Sequence, residues 1–589
     1  MSDYLEFLKS KIPKAEEVGF DAPSDPHASL FPHQRDICHW AIKGGRRAIF
    51  ANFGLGKTRI HLQLAKWVAE KTGGRFLIIC PLGVRQEFTL SDGPAMGMEP
   101  VFCRTTAEVL ATEARIIITN YESVRDGKMD VDLFEGVGMD EASVLRSYGS
   151  KTYQTFLPIF KHVPYRFVFT ATPSPNRYKE LIHYGGFLGV MDTGEALTRF
   201  FQRDSEQAGN LTLYPHMEKQ FWLWLSSWAA FIQRPSDLGY SDVGYDLPPI
   251  RVHWHRIESD HKKAWKTVDS WGQSQMFLDQ ATGLKESAET KRDSIVARIE
   301  LVARIVRLAD GGPDRHWLIW HDLEDERRAL EKQFPEAKTV YGSQDLEVRE
   351  DLIMGFSRGE YRMLATKPII AGSGCNFQRH CADAIFLGVG YKFNDFIQAI
   401  HRIHRFQQGR EVNIHIVHMD SEDAIVAELK AKWSRHDKLQ DQMTALMREY
   451  RLTNEMTMEM IRSMTDGEDA AEVRSDRFRA VRSDCTIELA KWPDNCVDHI
   501  CTSIPFGNQY EYSPSYNDFG HNPDNEAFFE QMDFLCPELL RVLRPGRIAA
   551  IHVKDRIRFG NVTGDAFPTV DPFSDMTVAS FRKAGFRFI

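Results

Sequence analysis

The sequence predicts an α/β protein of several domains, with parallel sheets covered by helices. Three observations carry that expectation. Short β-rich apolar runs alternate with longer helical patterns over most of the 589 residues. Hydrophobic residues make up 43%, charged residues 26% and aromatics 11%, the balance of ordinary globular domains and unlike that of a collagen, a disordered tail or a coiled coil. At roughly 150 residues per domain, a chain of this length holds about four units.

The elements follow in order. A first block has candidate strands at Ala48–Phe50, Phe76–Ile79, Ile116–Ile118 and Phe167–Phe169, with a weaker, glycine-bearing one at 136–139. A second has Trp317–Trp320, Thr339–Tyr341, Met363–Ala365, Ala384–Leu387 and Ile414–Val417. A third α/β block begins near Val481. These runs divide the chain into an N-terminal extension (1–30), a first α/β domain (31–190), a mostly helical bridging insertion (191–310), a second α/β domain (311–425), a helical linker (426–475) and a final α/β segment (476–589).

Composition bounds the function. A net charge of −9 excludes a blanket polycation, so nucleic acid would be held in local grooves of Lys and Arg. The most apolar stretch, Phe221–Ile232, is about half the length of a membrane span. The first ten residues carry no apolar signal core. Nine cysteines without a CxxC pair fit neither a disulfide framework nor a zinc ribbon, and the expected compartment is a reducing cytoplasm. Cys485, Cys496, Cys501 and Cys536 are expected as buried small hydrophobes.

Residues 51–58, ANFGLGKT, follow a candidate strand and precede a helical run. This is the setting of a phosphate loop. Gly54 and Gly56 let backbone N–H groups approach phosphates, Lys57 supplies a mobile charge, and the Thr58 hydroxyl suits Mg²⁺. Asp140-Glu141 follows as an adjacent acidic pair, one carboxylate for a metal and one for an attacking water, although such a pair alone also fits a solvated turn. Thr170 and Thr172 in TATP are hydroxyls suited to linking a nucleotide site to a moving lobe. Arg402 and Arg405, spaced i, i+3, fit a pair of guanidiniums aimed at a γ-phosphate.

The ordered series LFPHQ (30–34), ANFGLGKT, CPL (80–82), TNYE (119–122), DEAS (140–143), TATP (170–173), 372–378 and QAIHRIHRFQQ (398–408) resembles the motifs of superfamily 2 helicases, closest to the Swi/Snf-like branch, over about residues 30–425. The resemblance implies two RecA-like lobes with ATP and Mg²⁺ in the cleft and nucleic acid across both. It implies that Gln34 contacts adenine, that Lys57 and Thr58 hold phosphates and metal, and that Asp140 holds the metal. Glu141 would act on the water and Arg402 and Arg405 as fingers, with Thr170, Thr172, Gly372, Gly374 and Gln398 coupling the lobes. Three positions depart from the family's pattern: DEAS for DEAH, Phe88 for Trp, and Gln407 for Gly in the last motif; Ala51 stands where the simple phosphate-loop pattern has Gly.

In the last block Ser503-Ile504-Pro505-Phe506 follows a short apolar strand. A polar group, a carbonyl and an aromatic face suit a base taken out of its stack. With Ser483–Cys485, Asp494–Asp498 and LLRVLRPG (539–546), it is similar to the DNA amino-methyltransferases of N4-cytosine/N6-adenine type, Ile504 standing where Pro is usual. No FxGxG follows. The expectation is therefore a partial, Rossmann-like methyltransferase domain, with S-adenosylmethionine a cofactor only if the missing half is supplied. Arg474, Arg477, Arg479 and Arg482 before it fit DNA backbone contacts or a solvated linker.

Together these readings predict a DNA-stimulated ATPase, a helicase or translocase, carrying a methyltransferase-derived DNA-binding module. The alternatives are a bifunctional helicase and methyltransferase, and a non-catalytic phage anti-restriction or DNA-binding factor. Fusions of this style resemble those of phages and mobile elements.

Overall fold

The structure, a computed structural model, describes residues 2–11, 15–147, 149–173, 178–203, 211–258, 292, 294–309, 315–371, 376–388, 393–450, 471–505, 515–522, 524–558, 567 and 569–589. The chain is α/β and forms two compact units. The larger comprises residues 16–190 and 228–452, the smaller residues 1–15, 191–227 and 453–589.

The larger unit contains two parallel sheets. The first is built from β1 (Arg46–Ala51), β2 (Arg75–Cys80), β3 (Val101–Phe102), β4 (Ile116–Asn120), β5 (Phe134–Met139), β6 (Tyr165–Phe169) and β7 (Ala229–Ile232), in the order β3-β4-β2-β5-β6-β1-β7. Its strands read as continuous apolar runs because both faces are covered: β1 and β2 are buried at every position after the first. The two glycines that weaken the apolar pattern of β5 have a packing reason. A Cβ on Gly138 would lie 1.9 Å from His61 Nε2, where the helix behind the phosphate loop presses on the strand.

The second sheet is built from β8 (Ile250–Ile257), β9 (His316–Trp320), β10 (Lys338–Val340), β11 (Met363–Thr366), β12 (Cys381–Phe386) and β13 (Val412–Met419), in the order β8-β13-β12-β9-β11-β10. All its pairings are parallel. One face packs Leu318, Trp320, Leu364, Phe386, Ile414 and Ile416 into a shared core, the other Ile319, Ala365, Ile385 and Val417.

The segment 191–310, expected as a helical insertion, differs from that expectation. Ala229–Ile232 adds to the first sheet beside β1, and Ile250–Ile257 adds to the second beside β13. Phe201–Arg203 and Leu211–Leu213 form an antiparallel hairpin of the smaller unit. Local pattern hides this, because an added edge strand is defined by a partner far along the chain. The expected linker 426–475 differs too. The helix Asp423–Tyr450 buries Ile425, Val426 and Leu429 in the second sheet's core and belongs to the larger unit.

In the smaller unit, β14 (Val497–Ser503) pairs in parallel with β15 (Leu543–His552), joined by the helix Asn525–Val542. That helix and Phe573–Ala584 pack Phe528, Met532, Leu535, Phe573 and Phe581 together. Cys485 and Cys501 are exposed and Cys496 is half-buried, so of the four cysteines expected as core only Cys536 is buried. Cys501 lies in β14, which buries no residue fully, whereas Cys485 starts the short helix Cys485–Leu489 and Cys496 just precedes β14. The N-terminal helix Ser2–Ser10, within the expected N-terminal extension, packs in the same unit: Tyr4 donates to Asp484 at 2.8 Å and Lys11 to Gln531 at 2.8 Å. Among the described residues no helix is long and apolar enough to cross a membrane.

Candidate functional site

The site is assembled at the C-terminal ends of parallel strands, where such sheets leave crevices. After β1 the chain turns through Gly54 and Gly56, whose φ of 84° and 77° lie in the left-handed region. Gly56 caps the helix α1 (Lys57–Thr72). A Cβ on Gly56 would lie 2.2 Å from Gln34 Nε2 at a left-handed φ, so the turn favours glycine there. The N-terminus of a 16-residue helix thus faces the crevice, with its free N–H groups and positive dipole end. Lys57 Nζ donates back to the carbonyls of Ala51 and Asn52 at 2.8 and 3.2 Å, closing the loop on itself.

Asp140 and Glu141 leave the end of β5. The Asp140 N–H still bonds Ile79 O at 2.8 Å, and the Tyr121 hydroxyl donates to the Asp140 carbonyl at 2.6 Å. Tyr121 lies in the TNYE motif, and nothing in the sequence marks its role in holding the acidic turn. Glu141 has φ 49° and ψ 48°, a left-handed conformation that is unfavourable for a residue with a side chain and that aims its carboxylate into the crevice. Burial pushes Asp140 far above the usual carboxylate range, Glu141 adding to the shift and Lys57 opposing it. Burial equally lowers Lys57, against the pull of Glu141 and Asp140.

The second sheet supplies the opposite wall. The helix α2 (Phe393–Ile400) carries Gln398, whose Nε2 donates to Glu141 Oε2 at 3.2 Å. Thr172 donates to Asn394 on α2 at 2.6 Å, while Thr170 Oγ1 accepts from the Thr172 N–H at 3.1 Å. Arg402 is buried and bonds the Gln398 carbonyl at 3.1 Å. Phe53 of the phosphate loop stacks on His401, ring centroids 4.2 Å apart. Gly372, Gly374 and Phe506 lie outside the described residues.

One cavity of about 740 Å³ joins these groups. Its lining includes Gln34, Gly54, Gly56, Lys57, Thr58, Asp140, Glu141, Arg402 and Arg405, so ten of the expected positions that reach across the two sheets, Gln398 through its bond to Glu141, meet in one place. Gln34 is engaged at both ends: its Oε1 accepts from Phe31 N at 3.0 Å and its Nε2 donates to Leu55 O at 3.0 Å. It thereby ties the start of the preceding helix to the phosphate loop. Tyr245 and Phe406 also line the cavity, their rings 4.6 Å apart; Phe406 falls within 398–408 without a role read for it there, and Tyr245 belongs to no motif read from the sequence. The same holds for Glu87, whose carboxyl is pushed up to about 7 by burial, with Arg405 the foremost charge pulling it down.

Among the described residues no group of three or more His, Cys, Asp or Glu is arranged to hold a metal ion. Magnesium does not require one, since it is bound through one or two carboxylates, water and nucleotide phosphates. Thr58 and Asp140 on one wall fit that donor set.

In the smaller unit Ser503 ends β14 opposite His552 of β15, with Ser503 Oγ 3.3 Å from His552 Nδ1. Pro505 is half-buried just beyond. Arg474 and Arg479 pair across an antiparallel hairpin, and Arg479 is taken up by Glu472 and Glu488 at 3.1 and 2.8 Å. Comparison of the sequence with protein-family models and with curated proteins gives no match.

Proposed function

We propose that the chain is an ATP-dependent DNA helicase or translocase, a DNA-stimulated ATPase built on two RecA-like lobes and carrying a methyltransferase-derived DNA-binding module. The observation that carries this reading is the shared cavity: Lys57, Thr58, Asp140 and Glu141 from the first sheet face Arg402 and Arg405 from the second. A triphosphate seated on the N-terminus of α1 would bring its γ-phosphate between the acidic turn and the arginines. Phosphoryl transfer to water demands little covalent chemistry of a protein, and these are the groups it does demand. In this reading Thr58 and Asp140 would hold Mg²⁺, which would supply positive charge against the phosphates.

Glu141 orients the attacking water, and Gln398, bonded to it from the other wall, senses whether the walls are closed. Arg402 and Arg405 stabilise charge on the transferring group. Thr172, bonded to Asn394, links the same closure to the end of β6. Nucleic acid lying across both sheets would then favour the closed arrangement and raise turnover. DNA is favoured as the partner by the segment 483–546, whose Ser503-Ile504-Pro505-Phe506 loop is similar to that of DNA amino-methyltransferases.

The test is ATP turnover with Mg²⁺ measured in parallel without nucleic acid and with single-stranded DNA, duplex DNA and RNA. Stimulation by DNA is expected. Turnover indifferent to every nucleic acid would defeat the translocase reading, and absence of turnover in all arms would defeat the ATPase reading with it.

A further inference from the structure

Three residues that line the 740 Å³ cavity from the side of the second sheet have no task in phosphoryl transfer: Glu350, Asn376 and Gln378. Glu350 and Gln378 are only 8% and 6% exposed. Each of the three is held by one end of its side chain. Glu350 Oε2 accepts from Arg85 Nη2 and Gln86 Nε2 at 2.6 and 2.9 Å, Asn376 Nδ2 donates to Glu87 Oε1, and Gln378 Nε2 donates to the Phe406 carbonyl at 3.2 Å. The helix that carries Glu350, Leu346–Ser357, is fixed in turn, with Ile353 and Phe356 in the core of the second sheet.

The other end of each side chain is left over. Glu350 Oε1, Asn376 Oδ1 and Gln378 Oε1 are buried and have no hydrogen-bond partner among the described residues. A buried acceptor without a donor is unfavourable and uncommon, and three of them on residues of one cavity wall call for donors from outside the chain. The unpartnered atoms are all acceptors, which defines the group that would satisfy them. Phosphate oxygens are acceptors and gain nothing there. Adenine offers a single amino group flanked by acceptor nitrogens. The ribose of a nucleotide offers two adjacent hydroxyls, both able to donate, and such a hydroxyl replaces a water in kind.

We propose that Glu350, Asn376 and Gln378 form a ribose subsite of the nucleotide cleft, their free oxygens accepting from the 2′ and 3′ hydroxyls, so that the protein takes ribonucleotides in preference to deoxyribonucleotides. This rests on the ATPase reading and adds the sugar to it. Glu350 supplies most of the preference. A hydroxyl that donates to a charged acceptor makes the stronger bond, and an analogue without that hydroxyl leaves the acceptor buried and unpaired.

The experiment is equilibrium binding of ADP, 2′-deoxyADP, 3′-deoxyADP and IDP to the full chain with Mg²⁺, diphosphates being chosen because the protein does not turn them over. ADP should bind about tenfold or more tighter than each deoxy analogue, the scale of one hydrogen bond to a charged group. Glu350→Gln keeps an acceptor for Arg85 and Gln86 and places an amide donor where the free oxygen stood. It should bring the preference over at least one deoxy analogue to within about twofold of unity, with the affinity for that analogue little changed. Gln378→Leu should act in the same direction. Each preference is a ratio measured on one protein, so a general loss of folding cancels from it. A parent that does not distinguish ADP from the deoxy analogues, or preferences unchanged in both variants, would overturn the subsite and leave the ATPase reading standing. Loss of the preference for ADP over IDP in their place would show that the acceptors read the 6-amino group, and would overturn it too. A parent that binds none of the four, matched by Lys57→Ala, would sink the ATPase reading and the subsite together.

Discussion

Single residues in the cleft answer to charge and to backbone strain. Lys57→Ala and Glu141→Gln should each lower ATP turnover at least ~100-fold, the scale on which positioned charges and water-orienting groups act. Glu141→Gln should still bind nucleotide, because the phosphate loop and Asp140 remain. Turnover by Glu141→Gln at the parent rate would remove this residue from the mechanism. Arg405→Ala should lower kcat with little change in nucleotide affinity, since a finger acts on developing charge. Backbone strain gives a separate prediction at Gln407. It has φ 71°, and it occupies the position where glycine is usual in the resembling motif. A side chain in that conformation costs about 1 kcal/mol, so Gln407→Gly should raise stability by up to that amount, measurable in urea unfolding. A destabilised glycine variant would mean that the Gln407 side chain makes contacts that outweigh the strain.

At the scale of elements, the sheet framework was legible and three of its four edges were not, Lys338–Val340 being the exception. Nearly every central strand coincides with a continuous apolar run, because strands buried on both faces have no polar side to disguise them. The added edge strands Ala229–Ile232 and Ile250–Ile257 escaped because their identity depends on β1 and β13, distant in sequence. The site followed the same division. Lys57, Asp140, Glu141, Arg402 and Arg405 carry recognisable chemistry in order, whereas Glu87, Tyr121 and Tyr245 owe their places to contacts that no spacing encodes. The second sheet also hides an ion pair. Arg298, on the helix Ile295–Leu308, is fully buried against fully buried Glu422 at 2.6 Å, and it donates to the carbonyls of Leu387 and Val417 at 2.9 and 3.3 Å. Arg298→Met would strand the Glu422 carboxylate and should cost about 3–5 kcal/mol, whereas Arg298→Met/Glu422→Leu should recover most of the loss. Equal stability of the single and double variants would show that the arginine acts through its carbonyl bonds alone.

At the scale of the whole molecule, the larger unit carries an unusual load of neutral histidines. His33, His183, His321 and His436 are lowered to about 4 and His61 to about 3, in each case chiefly by burial. All five are buried and lie in that unit. A histidine kept neutral when folded takes up a proton below about 6.5 only when unfolded, so its contribution to stability is complete above 6.5 and is lost as the pH falls toward 4. At pH 5 each such group favours unfolding by about 2 kcal/mol, since every tenfold difference in proton affinity between the two states is worth about 1.4 kcal/mol. Two cleft carboxyls work in the opposite sense. Asp140 and Glu87 are raised above their unfolded values, so between roughly 4.5 and 7 they take up protons in the folded state and stabilise it as the pH falls. His401 and His415 are held down to about 3 as well, so the lowered histidines outnumber the two raised carboxyls, folding releases protons on balance, and the histidines prevail. Calorimetric unfolding should therefore show a clearly lower melting temperature at about pH 5 than at about pH 7.5, in buffers of equal ionic strength. His61→Leu, which replaces a buried imidazole stacked on Phe169, should remove part of that pH dependence. Equal melting temperatures at the two values would mean that the cleft carboxyls balance the histidines, and a higher one in the acidic buffer would mean that they dominate.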